Sequence, residues 1–152
     1  SFMLTVYIGA DHAGFTMKAI IREHLEHKGV MVEDVGAHSL DPNDDYPHYA
    51  ALVATKVREH AGSFGVLSCG NAEGVCIAAN KFDDIRAAVG FSVDAARTTR
   101  QDDDANVICI PGRIKTDDDP LAIVDTFLQT HFSGAARHVR RLGAVQEIES
   151  HE

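Results

Sequence analysis

The chain has 152 residues, 45% of them hydrophobic, enough for one well-buried domain and too few for two ordinary ones. A formal net charge of −9 repels a phosphate backbone and the basic residues form no stripe, which argues against a nucleic-acid partner. No apolar run approaches the roughly 20 residues that span a bilayer, and no basic segment leads into an apolar one as in a secretory leader, so the protein is expected to be cytoplasmic, without a membrane partner.

Ser1 and Phe2 read as a remnant ahead of a natural start at Met3, giving a single expected domain over residues 3–152. Leu4 to Ile8 is a β-branched and aromatic run that stops at Gly9, and predicts a strand. Phe15 to His27 follows with Met17, Ile20, Ile21 and Leu25 at helical spacing, and Gly29 suits the end of that helix. Val30 to Gly36 supplies a second strand. A loop from Ala37 to Asp45 carries the turn residues Asp41, Pro42 and Asn43. Pro47 fits the first turn of a helix whose buried face is marked by Ala50, Ala51, Val53, Ala54 and Val57.

Phe64 to Ser68 is the third strand, ending in a turn, Cys69-Gly70-Asn71-Ala72-Glu73-Gly74, that runs into a short helix over Val75 to Asn80. A strand over Ile85 to Val89, a helix over Ser92 to Arg100 and a strand over Val107 to Ile110 follow. Helices over Pro120 to Thr130 and Ala135 to Glu149 complete the chain. Alternating strands and helices, with strands apolar on both faces, predict a five-stranded parallel sheet in a Rossmann-like three-layer αβα sandwich.

The turn after the third strand carries the most chemistry. Cys69 stands where a strand meets a helix, the position at which open α/β sheets bind ligands. A thiolate there is stabilised by the helix dipole, which suits a general base. Gly70 and Gly74 allow the backbone to approach a ligand and aim N–H groups at it. Asp11 and His12, between the first strand and first helix, are expected at the same sheet edge, although a capping role for Asp11 explains it equally well. The three cysteines lack scaffold or zinc spacing, so free thiols are expected, with Cys76 and Cys109 in the core.

Arg137 and Arg141 are one helical turn apart and share a face, and Arg113 follows the last strand; together they could clamp a phosphate. The last helix is basic at Arg137, Arg140 and Arg141 near its start and acidic at Glu147, Glu149 and Glu152 near its end. Its dipole disfavours that arrangement, so an anionic partner explains it better. The acidic run Asp102-Asp103-Asp104 lacks the pattern of a calcium loop, and His24 and His27 lack companion ligands, so no metal is expected.

Gly9-Ala10-Asp11-His12-Ala13-Gly14, Asp45-Tyr46-Pro47, Cys69-Gly70 with Ile77-Ala78-Ala79-Asn80-Lys81, Ile85-Arg86-Ala87-Ala88, Asp104-Ala105-Asn106-Val107 and Arg137-His138 together resemble the type B ribose-5-phosphate isomerase and galactose-6-phosphate isomerase family, from Met3 to about Ile148. The resemblance implies a homodimer, with pairing into tetramers open. It also implies sites shared between subunits, no cofactor, and interconversion of aldose and ketose phosphates through a cis-enediolate. Cys69 would be the base and the N–H groups from Gly70 to Gly74 an oxyanion hole. Asp11 and Tyr46 would contact sugar hydroxyls, and His12, Arg113, Arg137 and Arg141 the phosphate.

The departures bear on the sugar. The family has a hydroxyl residue where this chain has Asn71, which can donate a hydrogen bond but cannot shuttle a proton as a hydroxyl does. It has glycine in place of Ala72, and His-Asn in place of Asp102-Asp103, the histidine being the ring-opening residue. Glu73 is a replacement acid or a solvated helix-start carboxylate. Asp102 is expected opposite the Cys69 turn, where it could still accept a hydroxyl proton. Ribose 5-phosphate is the leading substrate; the alternatives are a tetrose 4-phosphate, which has no ring to open, a hexose 6-phosphate, or binding without turnover.

Overall fold

Each β-branched run becomes a strand and each amphipathic stretch a helix in the computed structural model, which describes residues 3–151; Ser1, Phe2 and Glu152 lie outside the described residues. The elements in order are β1 (Thr5–Ala10), α1 (Phe15–His27), β2 (Met31–Gly36), α2 (Tyr46–Glu59), β3 (Phe64–Cys69), α3 (Glu73–Ala79), β4 (Ala87–Val89), α4 (Val93–Asp103), β5 (Val107–Pro111), α5 (Pro120–Gln129) and α6 (Ala136–Ser150). The five strands form one sheet of order β2-β1-β3-β5-β4, with every pair parallel.

Strand alternation divides the core between two faces. Tyr7, Leu67, Val107 and Cys109 pack against Ala50, Val53, Ala54 and Val57 of α2 and Val75 and Ala79 of α3. Val6, Ile8, Val66, Ile108 and Ile110 pack on the other face against Ile21 and Leu25 of α1, Ala96 of α4 and Ile123, Val124 and Phe127 of α5. This is the three-layer sandwich that two-sided apolar strands require. The chain leaves β1 for β2 and returns across it to β3, so the winding reverses between β1 and β3. Ligands of such sheets bind outside the carboxyl ends of those two strands. Among the described residues no helix is long and apolar enough to cross a membrane.

Several local expectations change. Ile20 is 46% exposed while Lys18 is buried, because Lys18 Nζ pairs with Asp34 Oδ1 at 2.9 Å and also donates to the Ala37 carbonyl. Ala51 and Cys76 are half-buried rather than core, whereas Cys109 is fully buried. A hydrogen bond from Cys109 lowers the Cys76 thiol, and burial, then Cys76, pushes the Cys109 thiol well up. Helix α4 runs beyond Arg100 to Asp103 and ends on Asp104 in the left-handed conformation at φ 48°. Arg100 explains the extra turn: it is buried, lies over the Phe64 and Phe127 rings at 4.9 and 5.8 Å, and donates to Asp104 Oδ1 at 2.8 Å. Asp102 and Asp103 are therefore helical residues and not part of a connecting turn.

Candidate active site

The strand register fixes which residues meet. Ala10 pairs with Ser68 and Cys69 with Pro111, so Asp11, Gly70 and Gly112 emerge together at the carboxyl edge. The three loops are locked to one another: Gly112 N–H donates to the Cys69 carbonyl at 2.8 Å and Arg113 N–H to the Gly70 carbonyl at 2.9 Å. Ser68 Oγ donates to the Ile110 carbonyl at 2.7 Å. A Cβ on Gly14 would lie 2.4 Å from the Ser68 carbonyl oxygen, and one on Gly112 2.3 Å from that of Ala13. Only glycine lets these backbones touch. The expected meeting of Asp11, His12 and Cys69 at one sheet edge is thus realised, with Gly70 and Arg113 beside them.

Cys69 closes β3 and is 4% exposed, with Sγ 3.8 Å from Asn71 Oδ1. Asn71 Oδ1 also accepts the Glu73 N–H at 3.0 Å, so its amide nitrogen is what Asn71 can offer a ligand, and the Glu73 N–H is withdrawn from any oxyanion hole. Ala72 holds the turn at φ 69°, a left-handed conformation that costs a residue with a Cβ about 1 kcal/mol. Glu73 is exposed in the first turn of α3. Gly74 does not open toward a ligand as predicted: its missing Cβ is replaced by the Tyr46 ring, which a Cβ would meet at 2.7 Å. Tyr46 is thereby laid over the start of α3, 38% exposed, at the mouth of the Cys69 turn.

Asp11 does cap the turn, its Oδ1 accepting from Ala13 N–H at 3.0 Å and Gly14 N–H at 3.1 Å, which leaves Oδ2 for a ligand. His12 is anchored by Asp44, the first of two acids ahead of Tyr46, which no sequence motif singles out. Asp44 Oδ1 accepts the His12 backbone N–H at 2.9 Å and ring Nδ1 at 2.8 Å, and Oδ2 accepts the Tyr49 hydroxyl at 3.0 Å. Burial raises the Asp44 carboxyl, but the bonds from the His12 ring, the His12 N–H and Tyr49 outweigh it and hold it below the usual carboxylate range. Burial and the same bond push the Tyr49 phenol up. Side-chain atoms of Asp11, His12 and Asp44 lie within 4.8 Å of one another. Asp11 Oδ1, His12 Nδ1 and both Asp44 oxygens already take part in hydrogen bonds, while Asp11 Oδ2 and His12 Nε2 do not.

The remaining predicted residues stand elsewhere in the chain. Helix α4 returns antiparallel to the strands, so Asp102 and Asp103 at its end sit at the amino edge of the sheet. Across the six residues of β3 the two edges are about 17 Å apart. Asp102 therefore does not face the Cys69 turn of its own chain. His138 Nε2 lies 3.5 Å from Asp102 Oδ1, and Ser133 Oγ is 2.8 Å from His138 Nδ1. Burial, then repulsion from Asp102, raises the Asp103 carboxyl, with His138 partly offsetting both. Arg137 and Arg141 leave the start of α6 beside this cluster, exposed. Among the described residues none of Arg113, Arg137, Arg140 and Arg141 forms an ion pair. The expected three-arginine clamp is thus divided between the two edges. His24 does have a partner, Asp125 at 2.9 Å.

A doubly wound α/β sheet with a thiol, a capping carboxylate and an anchored imidazole at its switch point belongs to the class that binds small anionic ligands in that crevice. The family described as Ribose/Galactose Isomerase matches residues 6–145, and the chain belongs to it, among the type B ribose-5-phosphate isomerases; it is an aldose–ketose isomerase by that membership. The probable ribose-5-phosphate isomerase B of Mycoplasma genitalium is 44% identical over 145 residues, 95% of each chain. Ribose-5-phosphate isomerase B of Mycobacterium tuberculosis is 42% identical over 150 residues, 98% of this chain and 93% of that one. The crystal structure of the Mycoplasma genitalium enzyme with bound ribulose-5-phosphate superposes with a TM-score of 0.93 at 42% identity, covering all of both chains (100% and 100%).

Proposed function

We propose that the protein interconverts ribose 5-phosphate and ribulose 5-phosphate through a cis-enediolate, with Cys69 as the base that carries the proton between C2 and C1. The observation that carries this reading is the placement of Cys69 Sγ beside Asn71, at the crevice where Asp11 and His12 converge, in a chain similar to a structure with bound ribulose-5-phosphate. A proton taken from C2 leaves negative charge on O1, and the charge moves to O2 as the O2 proton passes to O1. The Asn71 amide and the N–H groups of the Cys69 turn, apart from that of Glu73, are the donors near that charge. Asp11 Oδ2 and the Tyr46 hydroxyl hold sugar hydroxyls, and His12 and Arg113 hold the phosphate from the same chain.

The amino edge completes the site from a second copy. Among the described residues Arg137 and Arg141 have no partner acids, and a phosphate from the neighbouring crevice supplies the missing charge. Asp102 and Asp103 come with them, because α4 and the start of α6 form one cluster. Exposed Val139, Val145 and Ile148 on α6 are suited to burial between two copies. No metal or organic cofactor takes part in this scheme.

A second reading, isomerisation of a tetrose 4-phosphate, is favoured by Asp102. Its carboxylate is turned to His138, and a substrate that cannot close a furanose ring needs no residue to open one. Proton exchange separates the readings. Enzyme, heavy water and each sugar phosphate are followed by NMR, and the protein exchanges the C2 proton of ribose 5-phosphate faster than that of any tetrose or hexose phosphate. The Cys69→Ser variant loses exchange; full exchange in that variant removes Cys69 as the base.

A further inference from the structure

His12 reaches the crevice with one side of its ring already committed. The buried Asp44 carboxylate, 7% exposed at the side chain, accepts from both its backbone N–H and its Nδ1, while Tyr49 fixes the other carboxylate oxygen. An ionised carboxylate only accepts hydrogen bonds, so Nδ1 must carry a hydrogen. Nε2, on the far side of a ring 27% exposed, has no hydrogen-bond partner among the described residues.

We propose that Asp44, braced by Tyr49, is a positioning residue that fixes His12 as the Nδ1–H tautomer with Nε2 toward the crevice, so that His12 binds a phosphate ester by taking a proton onto Nε2. The inference rests on the reading of His12 as a phosphate ligand. A bare Nε2 presents a lone pair, which repels phosphate oxygens; a protonated one donates a charge-assisted bond. One N–H bond forms on binding, and its proton comes from water or from the monoanionic ester. The other ionisable groups around the pair are Asp11 on the turn after β1, Asp41 in the loop before α2, Tyr49 within α2 and, across Gly70, Arg113 after β5. Asp11 and Asp41 add negative charge and Arg113 positive charge to the crevice.

The test uses full-length protein with 15N-labelled histidine, titrated with inorganic phosphate at about pH 8, above the ordinary imidazole range. Free protein carries a hydrogen on His12 Nδ1, and phosphate adds one to Nε2; calorimetry in buffers of different ionisation enthalpy registers the proton taken up. An Nε2–H tautomer in free protein, or an Nε2 unchanged at saturating phosphate, overturns the proposal; absence of phosphate binding overturns the reading beneath it. In turnover, Asp44→Ala raises KM about tenfold and leaves kcat within about twofold, and Asp44→Asn, whose carbonyl still accepts from Nδ1, restores most of the loss. Equal losses in both variants, an unchanged KM, or a fall confined to kcat contradict it. The phosphate titration needs no turnover, so Cys69→Ser gives the same histidine response; if isomerisation is absent while that response persists, only the isomerase reading fails.

Discussion

The two edges of the sheet are built in opposite ways. At the carboxyl edge the polar groups are tied inward: Asp11 to the turn before α1, His12 to Asp44, Asn71 to Glu73, and the β5 loop to Cys69 and Gly70. At the amino edge charge is left over, with exposed guanidiniums at Arg137, Arg140 and Arg141 and an Asp103 carboxyl raised by burial and by Asp102. The first edge is preorganised to hold a reacting centre. The second carries, among the described residues, three guanidiniums without acid partners, as a surface suited to an anion does. On the proposed reading neither edge suffices alone for an aldose phosphate, and the two would complement each other across two copies of the chain.

Removing the reacting group at the carboxyl edge gives the largest effect. Cys69→Ala lowers kcat on ribose 5-phosphate by about 10³-fold, the scale of a lost general base, with Tm nearly unchanged; a loss below tenfold moves the base elsewhere. Neutralising the amino edge comes next. Arg137→Ala or Arg141→Ala lowers kcat/KM by about 10- to 100-fold, mostly through KM, in keeping with a lost charge-assisted phosphate contact. An unchanged KM in both variants detaches that edge from the site.

Smaller changes sharpen the account of the turn itself. Gly74→Ala pushes the Tyr46 ring aside, and because that ring is at the surface the effect falls on KM rather than on stability, as steady-state kinetics beside a melting curve will register. Ala72→Gly relieves the left-handed backbone at φ 69° and stabilises the fold by about 1 kcal/mol, less the entropy glycine adds to the unfolded chain. The smallest effect is at Asp103. Its folded pKa is raised, so its ionised form weakens the fold above that pKa, and protonation on acidification removes the penalty. Asp103→Asn therefore raises Tm slightly at neutral pH, and the gain is gone by about pH 3, where the carboxyl is protonated in both states.

The strand and helix alternation was legible because burial on both faces leaves continuous apolar runs, as in Phe64 to Cys69. The placement of Cys69, Asp11 and His12 at one edge was legible because parallel winding sends every strand end to the same side. The full length of α4 was not legible, since the helix was expected to stop at Arg100; the stacking of Arg100 on Phe64 and Phe127 is a long-range contact with no local signature. Gly74 misled for a related reason, since glycine marks a close approach without naming what approaches. Asp44 and Tyr49 went unnoticed because their value lies in a bond to His12, thirty-two residues away from Asp44.

Hybrid dimers test the central claim most directly. Cys69→Ser and Arg137→Ala/Arg141→Ala chains, differently tagged, co-expressed and assayed with ribose 5-phosphate well below the wild-type KM, are each nearly inactive as pure dimers. If each site draws Cys69 from one copy and the arginines from the other, the hybrid carries one intact site and one doubly defective site, and random pairing restores about a quarter of wild-type kcat/KM. Activity no higher than that of the two parent proteins would place all of these residues in one chain's site and contradict the account.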